Sequence, residues 1–393
     1  MKQMRVIYIL NATDRYGGAT KAFLSLAEGL MASGVQIAVV VPDEEGVCSV
    51  LRDRHIPFHR LVYRNCVYPP LCSVRDVILF VPRLLGRMLL NYYAAGRVAA
   101  LARGFNADLI HTNTSVNDIG YRAARMLGIP HVWHIREYGD RDFGLHHYVT
   151  RIGFLGKMKK KDSYTICITK DISRHCLLDG WKNNRVIYDG VLHKAQAVQG
   201  CRKDGYFLFA GRLEENKGIS DLIEAYAVYA ARIGKRSLPL WVAGDTNDRQ
   251  YKERLNNKIT GLNLSGKVHM LGLRSDILQL MQHATSVVVP SLCEGFGFIT
   301  AEAMFSGTLV MGRDTGGTKE QFDNGVALTG GEIGLRYLTQ DELVGHLTAV
   351  TKGAGEYMQM TERGQKAAIA LYSVETHVQA VLDFYEEIKK RRQ

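Results

Sequence analysis

Residues 285–305 read TSVVVPSLCEGFGFITAEAMF. The apolar run at 285–290 has the length and β-branched content of a buried strand. Gly295 and Gly297 then break the run, and the apolar spacing from Phe298 onward is helical. A helix starting near Phe298 leaves Glu294 in the loop and puts Glu302 in the second turn. A strand that ends in a glycine turn and feeds a helix is the repeating unit of a parallel α/β sheet. The stretch therefore sets the fold class and also marks where chemistry should be sought.

Working outward, the same unit recurs along the chain. RVIYIL (5–10), QIAVVV (36–41), DLIHT (108–112), HVWHI (131–135), YTICIT (164–169) and RVIYDG (185–190) are strand candidates in the first half. YFLFAG (206–211), LPLWVAG (238–244), KVHMLG (267–272), TSVVVP (285–290) and TLVMG (308–312) follow in the second. Helical patterns separate them. Residues 192–204, LHKAQAVQGCRKD, break the alternation and read as a linker. The expectation is an α/β protein of two doubly wound, Rossmann-like domains facing a cleft: residues 1–191, and residues 205–372. Residues 373–393 carry a helical apolar pattern with a basic end and are expected to cross back and complete the first domain.

The chain has 393 residues, 46% hydrophobic and 23% charged, a composition of soluble globular proteins. No apolar run approaches the ~18 residues of a membrane span. The seven cysteines form no C-x-x-C pair, which favours reduced thiols and a cytoplasmic setting over a disulfide or zinc framework. Charge is divided unevenly. Residues 1–195 hold 27 Lys and Arg against 16 Asp and Glu, while the remainder holds 23 of each, so the whole excess of +11 lies in the first half. That half is expected to meet something anionic.

In open parallel sheets ligands bind outside the carboxyl ends of the strands. After 206–211 comes GRLEENKGISDLIEAY, with Arg212 and Lys217 in the loop and first helical turn. Cations oppose the usual preference for acids at a helix start, and a phosphate-bearing ligand would explain them. After 285–290 the backbone N–H groups of Gly295, Phe296 and Gly297 could meet a charged or hydroxylated group. After the first strand, Gly17 and Gly18 precede a helix whose N-terminus favours an anion. The arrangement is not G-x-G-x-x-G, and no acid ends the second strand, so the dinucleotide fingerprint is absent. Another glycine turn, DTGGTKE (314–320), precedes Glu320. Asp140-Arg141-Asp142 has the D-x-D pattern of metal-dependent transferases of another fold. It lies in a loop, and no metal is expected there.

Together these pieces resemble the retaining glycosyltransferases of family four, which have the GT-B fold. The E-x7-E motif Glu294–Glu302 after Pro290-Ser291 carries the resemblance most specifically, followed by AGRLEENKG (210–218). VAGD (242–245), VHMLGLRSDI (268–277), DTGGTKE and GGATKAFLSLAEGL (17–30) match weaker stretches. Residues 108–139 resemble the acceptor-side half of members that build bacterial surface polysaccharides. The resemblance implies a UDP- or GDP-linked sugar donor, a glycan or lipid-linked acceptor, and no cofactor. Arg212 and Lys217 would grip the diphosphate. Glu302 would bind the ribose hydroxyls, and Glu294 would lie beside the transferred sugar. His134 would face the anomeric centre, and the base would sit near Gly272–Arg274. Gly17 and Gly18 would approach phosphate or acceptor. Thr20 and Thr318-Lys319 depart from the usual glutamate and apolar-proline pair, which touches acceptor contacts and donor discrimination respectively.

Residues 74–105 carry five arginines and one acid. Pro82 is expected to open a helix with Leu84, Leu85, Met88, Leu89 and Tyr92 on one side, able to lie on an anionic membrane at the cytoplasmic face. GKMKKKDS (156–163) adds four lysines. Two other readings remain open on sequence: a sugar-nucleotide epimerase of related fold, and a non-catalytic nucleic-acid-binding protein suggested by the charge. The second lacks a recognisable nucleic-acid motif.

Overall fold

The computed structural model describes residues 3–11, 17–68, 71, 73–147, 151–198 and 200–392. Two compact units emerge, residues 1–190 with 377–393, and residues 191–376. The first contains β1 (Arg5–Ile9), β2 (Gln36–Val41), β3 (Phe58–Arg60), β4 (Val67–Tyr68), β5 (Leu109–Thr112), β6 (His131–Ile135), β7 (His146–His147), β8 (Ser163–Cys167) and β9 (Asn184–Val186). Seven of these form one parallel sheet in the order β3-β2-β1-β5-β6-β8-β9, and β4 pairs antiparallel with β7. The central strands are buried along their length, as a sheet covered on both faces requires.

The second unit contains β10 (Phe207–Ala210), β11 (Leu240–Ala243), β12 (Val268–Gly272), β13 (Ser286–Val289), β14 (Leu309–Arg313) and β15 (Leu335–Tyr337). They form a second all-parallel sheet, ordered β12-β11-β10-β13-β14-β15. Its core packs Phe207, Tyr226, Tyr229, Val242, Val288 and Leu347, all essentially inaccessible. Leu192 and Lys203, near the two ends of the expected linker, have fixed contacts inside this unit. Leu192 bridges Ser373, and Lys203 Nζ donates to the carbonyls of Gln282 and Gly307 and to Thr308 Oγ1.

Residues of the C-terminal helix Val374–Lys390 pack into the first unit. Tyr385 shares a 2.6 Å hydroxyl contact with Tyr8 of β1, and Arg185 pairs with Glu387 at 2.5 Å. Val378 explains a glycine inside the helix Gly18–Ala32: a Cβ on Gly29 would come 2.3 Å from Val378 Cγ2. One expectation needs correction. The long helix begins at Phe80, not Pro82, and runs to Gly104. Pro82 is still within the first turn, where N–H groups have no intrahelical acceptor, so its missing donor costs nothing there.

Candidate active site

Each sheet has a topological switch point, where strand order reverses and a crevice opens at the carboxyl edge. In the second unit it lies between β10 and β13. The loops after these two strands are bound to each other. Leu292 N–H donates to the Asn216 carbonyl at 2.9 Å. Gly218, at φ +69°, lies so close that a Cβ would approach the Pro290 carbonyl oxygen to 2.2 Å. Only glycine fits a left-handed position under that contact.

The loop after β14 holds the β13 loop from its other side. Gly317 N–H donates to the Glu294 carbonyl at 2.8 Å, and Thr315 Oγ1 to the Ser291 carbonyl at 3.1 Å. Gln321 Nε2 reaches the carbonyls of Phe296 and Gly297 at 2.7 and 3.0 Å. The helix Phe298–Phe305 starts after Gly297, whose φ is +91°, so Glu294 is in the loop and Glu302 in the second turn, as expected. The Phe296 ring belongs to the interior, against Phe298 and Tyr372.

Within this clamp Lys217 Nζ donates to Glu294 Oε1 at 2.8 Å, with side chains 19% and 17% exposed. Sequence reasoning gave these residues separate partners; the structure pairs them. Lys217 ends a 3-10 turn, Glu215–Lys217, and precedes the helix Ile219–Ile233 rather than lying in its first turn. Arg212 follows β10, is largely exposed, and pairs with Glu214 at 2.9 Å. Gly272 ends β12 at φ +67° and its carbonyl accepts from Gly244 N–H at 2.8 Å. Arg274 folds back onto Asp276 through two hydrogen bonds of 2.8 and 2.6 Å. Thr318 is buried and meets Thr300 Oγ1 at 2.9 Å, while Lys319 pairs with Asp323 at 2.9 Å. All of the donor-side candidates therefore share one sheet edge, and Lys217 and Glu294 are in direct contact.

In the first unit the switch lies between β1 and β5. Gly17 caps the helix Gly18–Ala32 in ordinary extended geometry, and Thr20 is buried. Residues 12–16, which connect β1 to Gly17, lie outside the described residues. His134, in β6, has no exposed surface. Its Nδ1 lies 3.2 Å from His111 Nε2 and accepts from Arg136 Nη2 at 3.3 Å. Its Nε2 lies 3.7 Å from Asp189 Oδ1, and His377 Nε2 lies 3.8 Å from the same oxygen. Arg136 pairs directly with Asp189. Burial, reinforced by the Arg136 charge, holds His134 well below the usual imidazole range, so its approach to Asp189 is between a neutral ring and a carboxylate.

His134, Asp189 and His377 place one ligand atom each within 4.8 Å of the others. The chemistry of this donor set does not suit a metal. His377 Nδ1 accepts the Gly190 backbone N–H at 3.0 Å, so in the neutral ring the proton is on Nε2, the atom that would have to ligate. The Arg136 guanidinium adds a positive charge beside the same carboxylate. The D-x-D segment forms a helical turn, Asp140–Phe143, rather than the loop expected, and both of its carboxylates are engaged by protein groups. Asp142 accepts from the N–H groups of Tyr138 and Gly139 at 2.9 and 2.8 Å, and Asp140 binds Arg151 and His175 at 3.2 and 2.7 Å.

Sequence reasoning missed Glu137, just beyond β6. It is 7% exposed, and Ser115 N–H and Oγ both donate to Oε1, at 2.7 and 2.8 Å. Burial raises its pKa from 4.5 to about 7. The signal was available: Glu137 follows a strand end in the same HIRE run as His134.

Comparison with known proteins assigns this geometry. Residues 17–186 match the family described as Glycosyl transferase 4-like domain, and residues 195–367 the family Glycosyl transferases group 1. An uncharacterized glycosyltransferase of Methanocaldococcus jannaschii is 28% identical over 281 residues, 69% of this chain and 74% of its own. HepE of Anabaena, solved with UDP, superposes with a TM-score of 0.77 at 20% identity, over 98% of this chain and all of that one. WaaG, a glycosyltransferase involved in lipopolysaccharide biosynthesis, gives a TM-score of 0.66 at 14% identity, over 96% and 98% of the two chains. The two family matches tile nearly the whole sequence, one on each parallel-sheet unit, and the protein is a glycosyltransferase of the family-four type with the GT-B fold.

Proposed function

We propose that the protein transfers a sugar, with retention of anomeric configuration, from a UDP- or GDP-linked donor to a glycan or lipid-linked acceptor in cell-surface polysaccharide synthesis. The observation that carries the donor half is the Lys217–Glu294 pair at the switch point of the second sheet, with Arg212 on the adjoining loop. The HepE complexes with UDP and UDP-glucose support a nucleotide-sugar donor, and WaaG supports the polysaccharide setting.

The chemistry follows from charge. When the bond between the anomeric carbon and the diphosphate oxygen breaks, the leaving diphosphate gains negative charge and the ring gains positive charge. Lys217 has three N–H donors. One stays on Glu294, which fixes the ammonium in place, and the others meet phosphate oxygens. Arg212 exchanges Glu214 for the diphosphate, a fork suited to two oxygens. Glu294, beside the same ammonium, receives sugar hydroxyls, and Glu302 the ribose. Charges already in place lower the barrier without reorganisation. Because these cations neutralise the leaving group, the reaction needs no metal. The first unit takes the acceptor, at the cytoplasmic face of the membrane.

Incubation with a panel of UDP- and GDP-sugars, EDTA present, tests the reading through release of nucleoside diphosphate. Release with acceptor-dependent sugar transfer supports it. Interconversion of the sugar nucleotide without release supports the epimerase alternative, and nucleic-acid binding without turnover the third.

A further inference from the structure

Gln321 lies in the second turn of the helix Gly316–Thr329 and is 1% exposed. Its Nε2 donates to the carbonyls of Phe296 and Gly297, one hydrogen for each. The amide cannot be turned the other way, because Oε1 would then face two carbonyl oxygens. Oε1 is itself buried without a partner. An unsatisfied buried acceptor counts against stability, and an unbranched apolar side chain such as methionine would fill the same space without one. What the amide adds is a fixed direction for two peptide groups.

These peptides are trans, so each N–H points opposite to the C=O of the same peptide. With the Phe296 carbonyl on Gln321, the Gly297 N–H is turned away from that helix. With the Gly297 carbonyl on Gln321, the Phe298 N–H is turned away as well. Gly297 and Phe298 are the N-cap and first residue of the helix Phe298–Phe305, whose opening N–H groups have no intrahelical acceptor. The seating is close. A Cβ on Gly317 would come 2.1 Å from the Phe296 carbonyl oxygen, and one on Gly297 would come 3.2 Å from Thr318 Oγ1. Lys217 and Arg212 already serve the diphosphate in the reading above. Uncharged N–H donors next to Glu294 suit uncharged hydroxyl oxygens.

We propose that Gln321 is a positioning residue for the donor: by holding the peptides on both sides of Gly297, it presents the N–H groups of Gly297 and Phe298 to hydroxyls of the transferred sugar. This rests on the transferase reading and adds to it a residue that itself touches no substrate.

Gln321→Met keeps the length of the side chain and removes both donors. Gln365→Met is the matched control. Gln365 is a buried glutamine of the same unit whose Nε2 ties the carbonyls of Val198 and Phe305 at 2.7 and 2.9 Å, at the far end of the helix Phe298–Phe305. Steady-state kinetics with the nucleotide sugar that the wild type uses, inhibition by its free nucleoside diphosphate, and melting temperature are measured on each protein. Gln321→Met should lower kcat/KM on the order of 10- to 100-fold with KM raised, while the inhibition constant of the diphosphate changes less than about threefold. Gln321→Glu, which sets a carboxylate oxygen against the two carbonyls, should be worse. Gln365→Met should leave kcat and KM near the wild-type values whatever it does to the melting temperature. Wild-type kinetics in a folded Gln321→Met protein overturn the proposal. So does an equal loss in Gln365→Met, which marks a general softening of the unit. An equal loss of diphosphate inhibition also overturns it, because the N–H groups would then serve the phosphates. A wild type that turns over no nucleotide sugar sinks the transferase reading and the proposal with it, whereas an active wild type with an unaffected variant sinks the proposal alone.

Discussion

Lys217 Nζ lies 2.8 Å from Glu294 Oε1, across the two loops that flank the switch point of the second sheet. The residues are 77 positions apart in sequence, and neither side chain is more than one-fifth exposed. A pair so placed is more than a surface ion pair, because removing one partner leaves the other half-buried without its counterion.

Lys217→Ala is expected to lower kcat/KM on the order of 10² to 10³, and Arg212→Ala similarly, as losing one charge-stabilising donor does elsewhere. Lys217→Ala combined with Glu294→Ala should cost much less than the product of the single effects, because the two act as a unit. Steady-state kinetics on wild type, the three single variants and the double variant checks both statements. Strict additivity would show that the contact has no part in turnover.

Gly218 and Gly34 both have positive φ, at +69° and +88°, but only Gly218 has a neighbour where a Cβ would go. Gly34→Ala should cost about 1 kcal/mol from backbone conformation alone. Gly218→Ala should cost about 1–3 kcal/mol more and weaken donor binding, since the Pro290 carbonyl must move and carries the Glu294 loop with it. Urea unfolding of both variants, read with nucleotide titration, separates strain from the close approach.

Glu137 makes stability fall with rising pH. Its carboxyl is raised by burial from 4.5 to about 7, so within that window the folded protein holds a proton that the unfolded chain has released. The contribution is complete below the window and is lost as pH rises through it, on the order of 3 kcal/mol. The buried histidines, held low by burial, drive the opposite slope at acidic pH. Glu137→Gln keeps an acceptor for Ser115 and removes the titration. Relative to wild type it should gain stability between pH 5 and 8, as reported by denaturant midpoints across that range; parallel curves would refute the burial account.

Asp189 carries the counter-charge for Arg136, and both are buried. Asp189→Ala leaves a buried guanidinium alone and should destabilise the protein by about 3–5 kcal/mol. Asp189→Asn, which keeps an acceptor but not the charge, should fall between. Calorimetry of the two variants distinguishes an electrostatic role from simple space filling.

Much of the fold could be read because strand, glycine turn and helix are local patterns. The buried runs around Val288 and Val242 declared themselves by β-branched continuity. The short strands did not. Phe58–Arg60 at a sheet edge is largely exposed, and Val67–Tyr68 and His146–His147 have two residues each, too few to show a period. The donor-side candidates were legible because they follow strand ends. The Lys217–Glu294 contact was not, since the side chains meet only after the sheet folds. The surroundings of His134 were hidden for the same reason: His377 and Tyr385 arrive from the far end of the chain. The amphipathic helix was visible as a pattern, but only burial shows that its apolar face is left uncovered.

Calorimetric titration of UDP and GDP into wild type and Lys217→Ala tests the central claim most directly, that this cation and its loop hold the donor diphosphate. One of the two nucleotides is predicted to bind the wild-type protein, and binding should weaken at least tenfold, about 1.4 kcal/mol, in the variant. Equal binding to both proteins, or none to either, would contradict it.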